Sequence, residues 1–284
     1  LDLIGGLARV YAGPGRAVLA PAHAYPFFRS AALMANARFD TAAEDQATVS
    51  VDALIAAVQP DTALVCVANP GNPTGTRIAI SELRRLRDAL ADHILLVIDE
   101  AYGEFADHPN ERCFDMVQTG NTVVLRTLSK AYGMAGFRVG WGLFPPQIAQ
   151  HLRKVMNPNN VAAPSQAAAT AALQDQPYAK GVWQKVIDSR GQLTEALRER
   201  GFAVLDSQTN FVLATPPATT TGSGAGSGGG GADKPDARTL YAALKQRGIL
   251  VRYFDLPRLD DKLRITVGTP QQNTALLEAL DELM

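Results

Sequence analysis

Ala63-Leu-Val-Cys-Val-Ala68, running straight into Asn69-Pro-Gly-Asn-Pro-Thr-Gly75, is the stretch from which the fold is read. A short apolar run that stops at a turn built from prolines and glycines has the length and the ending of a strand in a parallel sheet. Similar runs stand at 17–20, 94–98, 122–125 and 139–144, and the amphipathic segment 81–91 separates two of them, with Ser81 and Glu82 as its expected N-cap start. Apolar runs alternating with amphipathic stretches spell an α/β fold in which crossover helices link the strands.

Working outward, 166–173 is alanine-rich and helical, and 181–200 reads as a long amphipathic helix bridging into a second unit. There, strands at 202–205, 210–214 and 263–267 accompany helices at 238–247 and 274–283. The expected division is a large domain over residues 1–177 and a smaller α+β domain over 178–284. Within the latter, 219–236 is threonine, glycine and serine with no apolar anchor, which predicts a mobile surface loop. Gly224, Gly226 and Gly229 match a dinucleotide-binding pattern there, but no strand precedes it and no helix cap follows.

The chain has 284 residues, enough for two domains, and 46% hydrophobic with 19% charged residues is a globular balance. Setting 27 basic against 28 acidic residues leaves a net charge of −1, so no nucleic acid and no anionic membrane surface is expected as a partner. No apolar stretch approaches a bilayer span. Cys66 and Cys113 show no paired spacing, which fits a reducing cytoplasm. His23, His93, His108 and His151 are scattered and read as structural or solvated, so no metal site is expected. Trp141 and Trp183 read as packing.

Ligands of open parallel sheets bind beyond the carboxyl ends of the strands. Three runs here end in chemistry-bearing residues: Asn72 in the 69–75 turn, Asp99-Glu-Ala-Tyr102, and Arg126-Thr-Leu-Ser-Lys130, which leads to Gly136-Phe-Arg138. Each taken singly has a bland reading as a cap, a turn or an ion-pair partner. Together they bring an amide, a carboxylate, a phenol, an amine and a guanidinium to one edge. A lysine among apolar strands loses hydration and forms a Schiff base with an aldehyde more readily. Pyridoxal phosphate is such an aldehyde. Asp99 would keep its pyridine nitrogen protonated, Asn72 and Tyr102 would meet its phenolic oxygen, and Thr127, Ser129 and Arg138 would hold its phosphate.

These motifs, in order and spacing, resemble those of the fold-type I aminotransferases that use pyridoxal 5'-phosphate, and within them the histidinol-phosphate aminotransferase family. The similarity runs from Leu1 to Met284 and leaves out only the Gly/Ser loop. It implies a large domain whose mainly parallel sheet is sandwiched by helices, and a homodimer. In Ala24-Tyr25-Pro26 it implies that Tyr25 stacks on the pyridine face; a core tyrosine is the alternative. In Gly248-Ile-Leu-Val-Arg252-Tyr-Phe-Asp255 and Leu263-Arg264-Ile-Thr-Val-Gly-Thr269 it implies that Arg252 and Arg264 receive the anionic groups of histidinol phosphate and of glutamate or 2-oxoglutarate. Alternation turns Arg264 away from Leu263 and Ile265 toward a polar cleft, and makes one of Tyr253 and Phe254 core. The implied reaction moves an amino group through Lys130, with Asp99 and Tyr102 beside it.

Leu1 opens the chain in mid-helix pattern with no cap, from which a preceding segment is expected. In the family that segment carries an arm and a glycine-containing turn cupping the cofactor phosphate. The alternatives are an aminotransferase acting on aromatic amino acids, a decarboxylase acting on a phosphorylated amino acid, and, from another class, an inactive scaffold.

Overall fold

The computed structural model describes residues 1–106, 112–217 and 235–284. His108 and positions 219–234 of the expected Gly/Ser loop lie outside the described residues. The first sheet has six strands in the order β2-β1-β3-β4-β5-β6. They are β1 (Ala17–Pro21), β2 (Arg38–Ala42), β3 (Thr62–Ala68), β4 (Leu95–Asp99), β5 (Thr122–Thr127) and β6 (Gly140–Leu143). β1 to β5 pair in parallel, and β6 closes the edge antiparallel to β5. The sheet is thus mainly parallel, as the α/β reading required.

Strand periodicity distributes the apolar residues to two helical layers. Leu64, Cys66, Val97 and Val123 face Leu7 of α1 (Asp2–Tyr11), Phe28 of α2 (Phe27–Met34) and Leu152 of α5 (Pro146–Val155). Their neighbours Val65, Val67, Leu96 and Val124 face Leu54 of α3 (Val51–Ala57) and Leu83 and Leu86 of α4 (Ile80–Ala89). Leu83, Leu86 and Leu96 are fully buried, and each such leucine contributes about 1.5–3 kcal/mol by leaving water. The expected cap at Ser81 is corrected: α4 starts one residue earlier, with Ala79 at the N-cap and no side-chain capping bond. Ser81 therefore lies inside the first turn.

The second sheet has four antiparallel strands ordered β7-β8-β10-β9: β7 (Ala203–Val204), β8 (Phe211–Thr215), β9 (Arg252–Tyr253) and β10 (Leu263–Thr266). α7 (Gln176–Glu199), α8 (Ala237–Gln246) and α9 (Pro270–Leu283) cover it through Leu193, Leu240, Leu276 and Leu280. Asp175 caps α7 by accepting the Tyr178 N–H, so this helix begins earlier than the sequence pattern indicated, and position 177/178 falls in its first turn. It follows α6 (Ala163–Gln174) with one residue between. Trp183 of α7 donates to the Ala131 carbonyl at 2.7 Å and buried Arg190 to the carbonyls of Phe105 and Thr209, tying the second unit to the first. Trp141 packs edge-on against Phe114. No helix among the described residues is long and apolar enough to cross a membrane.

Candidate active site

The three chemistry-bearing runs prove to be neighbours, because β3, β4 and β5 are adjacent and parallel. Ala68 pairs with Asp99, and the Asn69 N–H donates to the Asp99 carbonyl at 3.0 Å. The turn after β3 is closed by buried Asn69, whose side chain donates to the Ile78 carbonyl and accepts the Ile78 N–H. Asn72 is left at its apex. Gly75, at φ +79°, has a backbone that L side chains adopt rarely, and a Cβ there would stand 2.6 Å from Ser207 Oγ. That close approach lets the Gln208 N–H bond the Gly75 carbonyl at 2.8 Å, bringing the 205–211 connection of the second unit over the turn.

Asp99 ends β4 almost wholly buried, with one carboxylate oxygen accepting the Ala101 N–H at 3.0 Å. Burial raises its pKa to about 6, against the lowering effect of that N–H. Tyr102, three residues on, is pushed up to about 12, first by burial. Tyr25 is half-buried, and its phenol is raised by burial and by the charge on Asp99, while Arg138 acts oppositely. Its mutual influence with Asp99 and Arg138 places it at the same edge. It also packs edge-on against Phe28.

Lys130 Nζ stands 5.7 Å over the Tyr102 ring centroid. Its pKa is lowered first by desolvation, then by the guanidiniums of Arg264 and Arg138. The residue is exposed at the rim, yet its ammonium works against the cleft wall and two like charges. Thr127 Oγ1 accepts the Ser129 N–H at 3.1 Å and donates weakly to the Val139 carbonyl, shaping the 127–130 turn. The Ser129 hydroxyl stays free of protein partners among the described residues. Arg138, exposed and at φ +56°, donates to the Ala135 carbonyl at 2.6 Å.

Arg264 meets the expectation from alternation. Leu263 and Ile265 are buried in the second core, while Arg264 Nη1 donates to Asn72 Oδ1 at 2.6 Å. Asn72 Nδ2 in turn reaches the Tyr102 hydroxyl at 3.5 Å. The Arg264 guanidinium lies 4.9 Å from the Phe211 ring and 5.7 Å from that of Phe254, and its Nε is buried without a partner. Arg252, opposite Arg264 in the β9–β10 pairing, is exposed with its guanidinium 5.4 Å from Phe254. Of the aromatic pair beside it, Tyr253 stacks on Tyr241 in the core of the second unit and Phe254 faces the arginines.

Two features escaped the sequence reading. Phe211 forms the wall between Tyr102, 5.2 Å away edge-on, and Arg264; the signal was alternation, since Val212 and Ala214 face the second core while Phe211 joins Tyr102. The other is a buried ion cluster. Arg126 bonds Glu100 through Nε and Nη2 and Glu104 through Nη1, at 2.6–2.9 Å, and the Cys113 thiol donates to Glu100. The residues following Asp99 and preceding Thr127 are thereby clamped together beneath the cleft.

An amine of lowered basicity, a buried carboxylate, two phenols, an amide and a guanidinium thus neighbour one another where the two sheets meet. The sequence profile for aminotransferase class I and II matches residues 2–280. Histidinol-phosphate aminotransferases of Paramagnetospirillum magneticum and Jannaschia sp. are 40% and 38% identical to it, aligning with the whole chain and with 75% and 74% of their own lengths. Among solved structures, the histidinol-phosphate aminotransferase of Sinorhizobium meliloti in complex with pyridoxal-5'-phosphate superposes with a TM-score of 0.88 at 30% identity, covering 99% of this chain and 73% of that one. With the strand order, the cleft and these alignments in agreement, the chain belongs to the aminotransferase class I and II family.

Proposed function

We propose that the protein transfers the amino group of L-histidinol phosphate to 2-oxoglutarate, giving imidazole-acetol phosphate and L-glutamate in L-histidine biosynthesis, with pyridoxal 5'-phosphate as cofactor. The observation that carries it is the Lys130–Tyr102–Asn72–Arg264 chain, which sets a desolvated amine and an anion receiver at opposite ends of one polar row. The relatives of similar sequence named above bear that activity in their names.

The residues fit the cofactor. A buried carboxylate with one oxygen committed to Ala101, a free serine hydroxyl, an exposed guanidinium and an orphaned Arg264 Nε are groups that await a ligand. When bound, pyridoxal phosphate supplies an aldehyde and a ring that withdraws electrons from the substrate carbon. Asp99, ionised above about pH 6, would hold the ring nitrogen's proton, and the raised pKa of Tyr102 keeps its hydroxyl a donor throughout the neutral range. Tyr25 would cover the ring face, Asn72 would donate to the ring oxygen, and Thr127, Ser129 and Arg138 would receive the phosphate. Arg264, with Arg252 beside it, would bind the phosphate of one substrate and the carboxylate of the other. Lys130 Nζ would take the proton from the carbon that bears the amine and return one in the reverse half of the exchange.

The same reading divides the chain near residues 177/178 into a cofactor-binding and a smaller unit, and makes the working form a cytoplasmic homodimer. Two free, buried thiols accord with a reducing compartment.

Borohydride reduction of the cofactor-loaded protein and peptide mapping should place the label on Lys130, and Lys130→Ala should abolish turnover; label on another lysine defeats the assignment. Parallel assays with histidinol phosphate and phenylalanine separate this substrate from an aromatic amino acid.

A further inference from the structure

The cleft is held from a second side by a cluster outside the site just described. His23 follows β1 and Glu44 follows β2, the two strands at the sheet edge away from Lys130. Their side chains are 9% and 3% exposed, and His23 Nδ1 lies 3.0 Å from Glu44 Oε2. The other ring nitrogen, Nε2, lies 2.9 Å from the carbonyl of Pro257, in the loop after β9. Arg258, at φ +66°, reaches the same Glu44 oxygen at 3.3 Å. The His23 N–H bonds the second Glu44 oxygen.

Both ring nitrogens therefore face oxygens. The Pro257 carbonyl can only accept, so Nε2 donates to it, while Nδ1 and the His23 backbone N–H both stand against the Glu44 carboxyl. A lone surface ion pair contributes little, but the His23 and Glu44 side chains are withdrawn from water, and from them separate bonds reach Pro257 and exposed Arg258, more than 200 residues away in the chain.

Position gives the cluster its consequence. Trp183 and Arg190 fasten the second unit near Ala131 and Phe105, on the Lys130 side. His23 and Glu44 fasten it at the β1–β2 edge, so the cleft lies between two attachments. His23 is two residues from Tyr25, and Pro257 is three from Phe254, whose ring lies against both Arg252 and Arg264. We infer that His23 is a positioning residue: paired with Glu44, it latches the 252–258 segment across the cleft mouth and so sets where Arg252 and Phe254 present themselves to an anionic substrate. The inference rests on the proposed reading of the cleft only for its effect on catalysis.

The test compares the holoenzyme with its His23→Gln, Glu44→Gln and doubly substituted forms. Glutamine at position 23 lacks the ring that reaches Glu44 and Pro257 together, and glutamine at position 44 gives up one carboxylate oxygen. Losing such a bond should speed hydrogen exchange at the amides of 252–259 about tenfold, with the amides of β3, β4 and β5 unchanged. The KM for histidinol phosphate should rise about tenfold with kcat within about twofold, and the double variant should be no worse than the weaker single one, since the pair acts as a unit. Unchanged exchange at 252–259 overturns the latch, as does exchange raised throughout the protein, which would mark a general loss of stability. If either variant fails to fold, Arg258→Ala, an exposed member of the cluster, must show faster exchange in the same segment or the latch is refuted. Should the parent not turn over histidinol phosphate, the exchange result still decides the latch, and the substrate reading alone falls.

Discussion

Arg126→Met should destabilise the fold by about 3–5 kcal/mol, because it removes one partner of a buried ion cluster and leaves the others charged and dry. The Arg126 side chain is 4% exposed and those of Glu100 and Glu104 are 6% exposed each. The guanidinium gives two bonds to Glu100 Oε2 and one to Glu104 Oε1. Glu100 would keep the Cys113 thiol, a weak donor, but Glu104 would keep nothing among the described residues, since its other oxygen is already buried and unpartnered. Burial alone would push the Arg126 pKa down; its net shift is upward because Glu104 and Glu100 outweigh desolvation, so the cation is held by these two acids. Urea unfolding with a slope of about 3 kcal/mol/M turns the loss into a midpoint lowered by more than about 1 M. The control replaces all three with apolar residues, Arg126→Met with Glu100→Leu and Glu104→Leu, and should recover part of the loss because no acid remains buried without its partner, although half-buried Arg112 then loses the two acids that favour its charge. A single-variant midpoint within about 0.3 M of the parent, or a triple variant no better than the single one, would refute the argument.

Asp99 gives the cofactor-free protein a pH signature. Its folded pKa, about 6, lies above the ordinary 3.8, so between those values the folded protein holds a proton that the unfolded chain has released. Stability contributed by this group is complete below about pH 4 and is lost as pH rises through 6, a loss of about 3 kcal/mol that Asp99→Asn removes. Thermal melts of the two proteins across that window check it, and parallel profiles would contradict it. In the loaded enzyme, Asp99→Asn should lower kcat by about 10²–10³-fold in steady-state assays, through loss of the charge facing the ring nitrogen. Arg264→Lys should lower kcat/KM for both substrates by about tenfold or more while leaving the cofactor's absorbance in place, because lysine cannot reproduce a planar fork clasped by Asn72 and two rings.

The parallel sheet was legible because its strands are apolar on both faces, and the site because its polar residues stand directly at the ends of three of them. What escaped had opposing local signals. β2, Arg-Phe-Asp-Thr-Ala, is half-exposed at the edge, where Arg38 forks between Asp40 and Asp61, and its charged residues mask the strand. α2 and α4 begin without a side-chain cap, so their starts carry no marker. Nothing local marks Glu100, Glu104 and Arg126 as partners, and only the pairing of β4 with β5 shows them neutralising one another. Arg264 was found by alternation, whereas its anchorage on Asn72 spans 192 residues and no local pattern encodes it.

That anchorage links substrate binding to the reactivity of the lysine. Desolvation, and after it Arg264 and Arg138, opposes protonation of Lys130, which favours the neutral amine that would engage an aldehyde. In the proposed reading, an anionic substrate on Arg264 would cancel part of that field as its own amine arrives. The basicity of Lys130 would then rise in part, with desolvation still opposing it, as its work changes from bonding carbon to carrying a proton. On that reading Arg264 would couple anion binding to the lysine, and a neutral analogue of the substrate lacking its phosphate should lose proton transfer as well as affinity, lowering kcat together with kcat/KM.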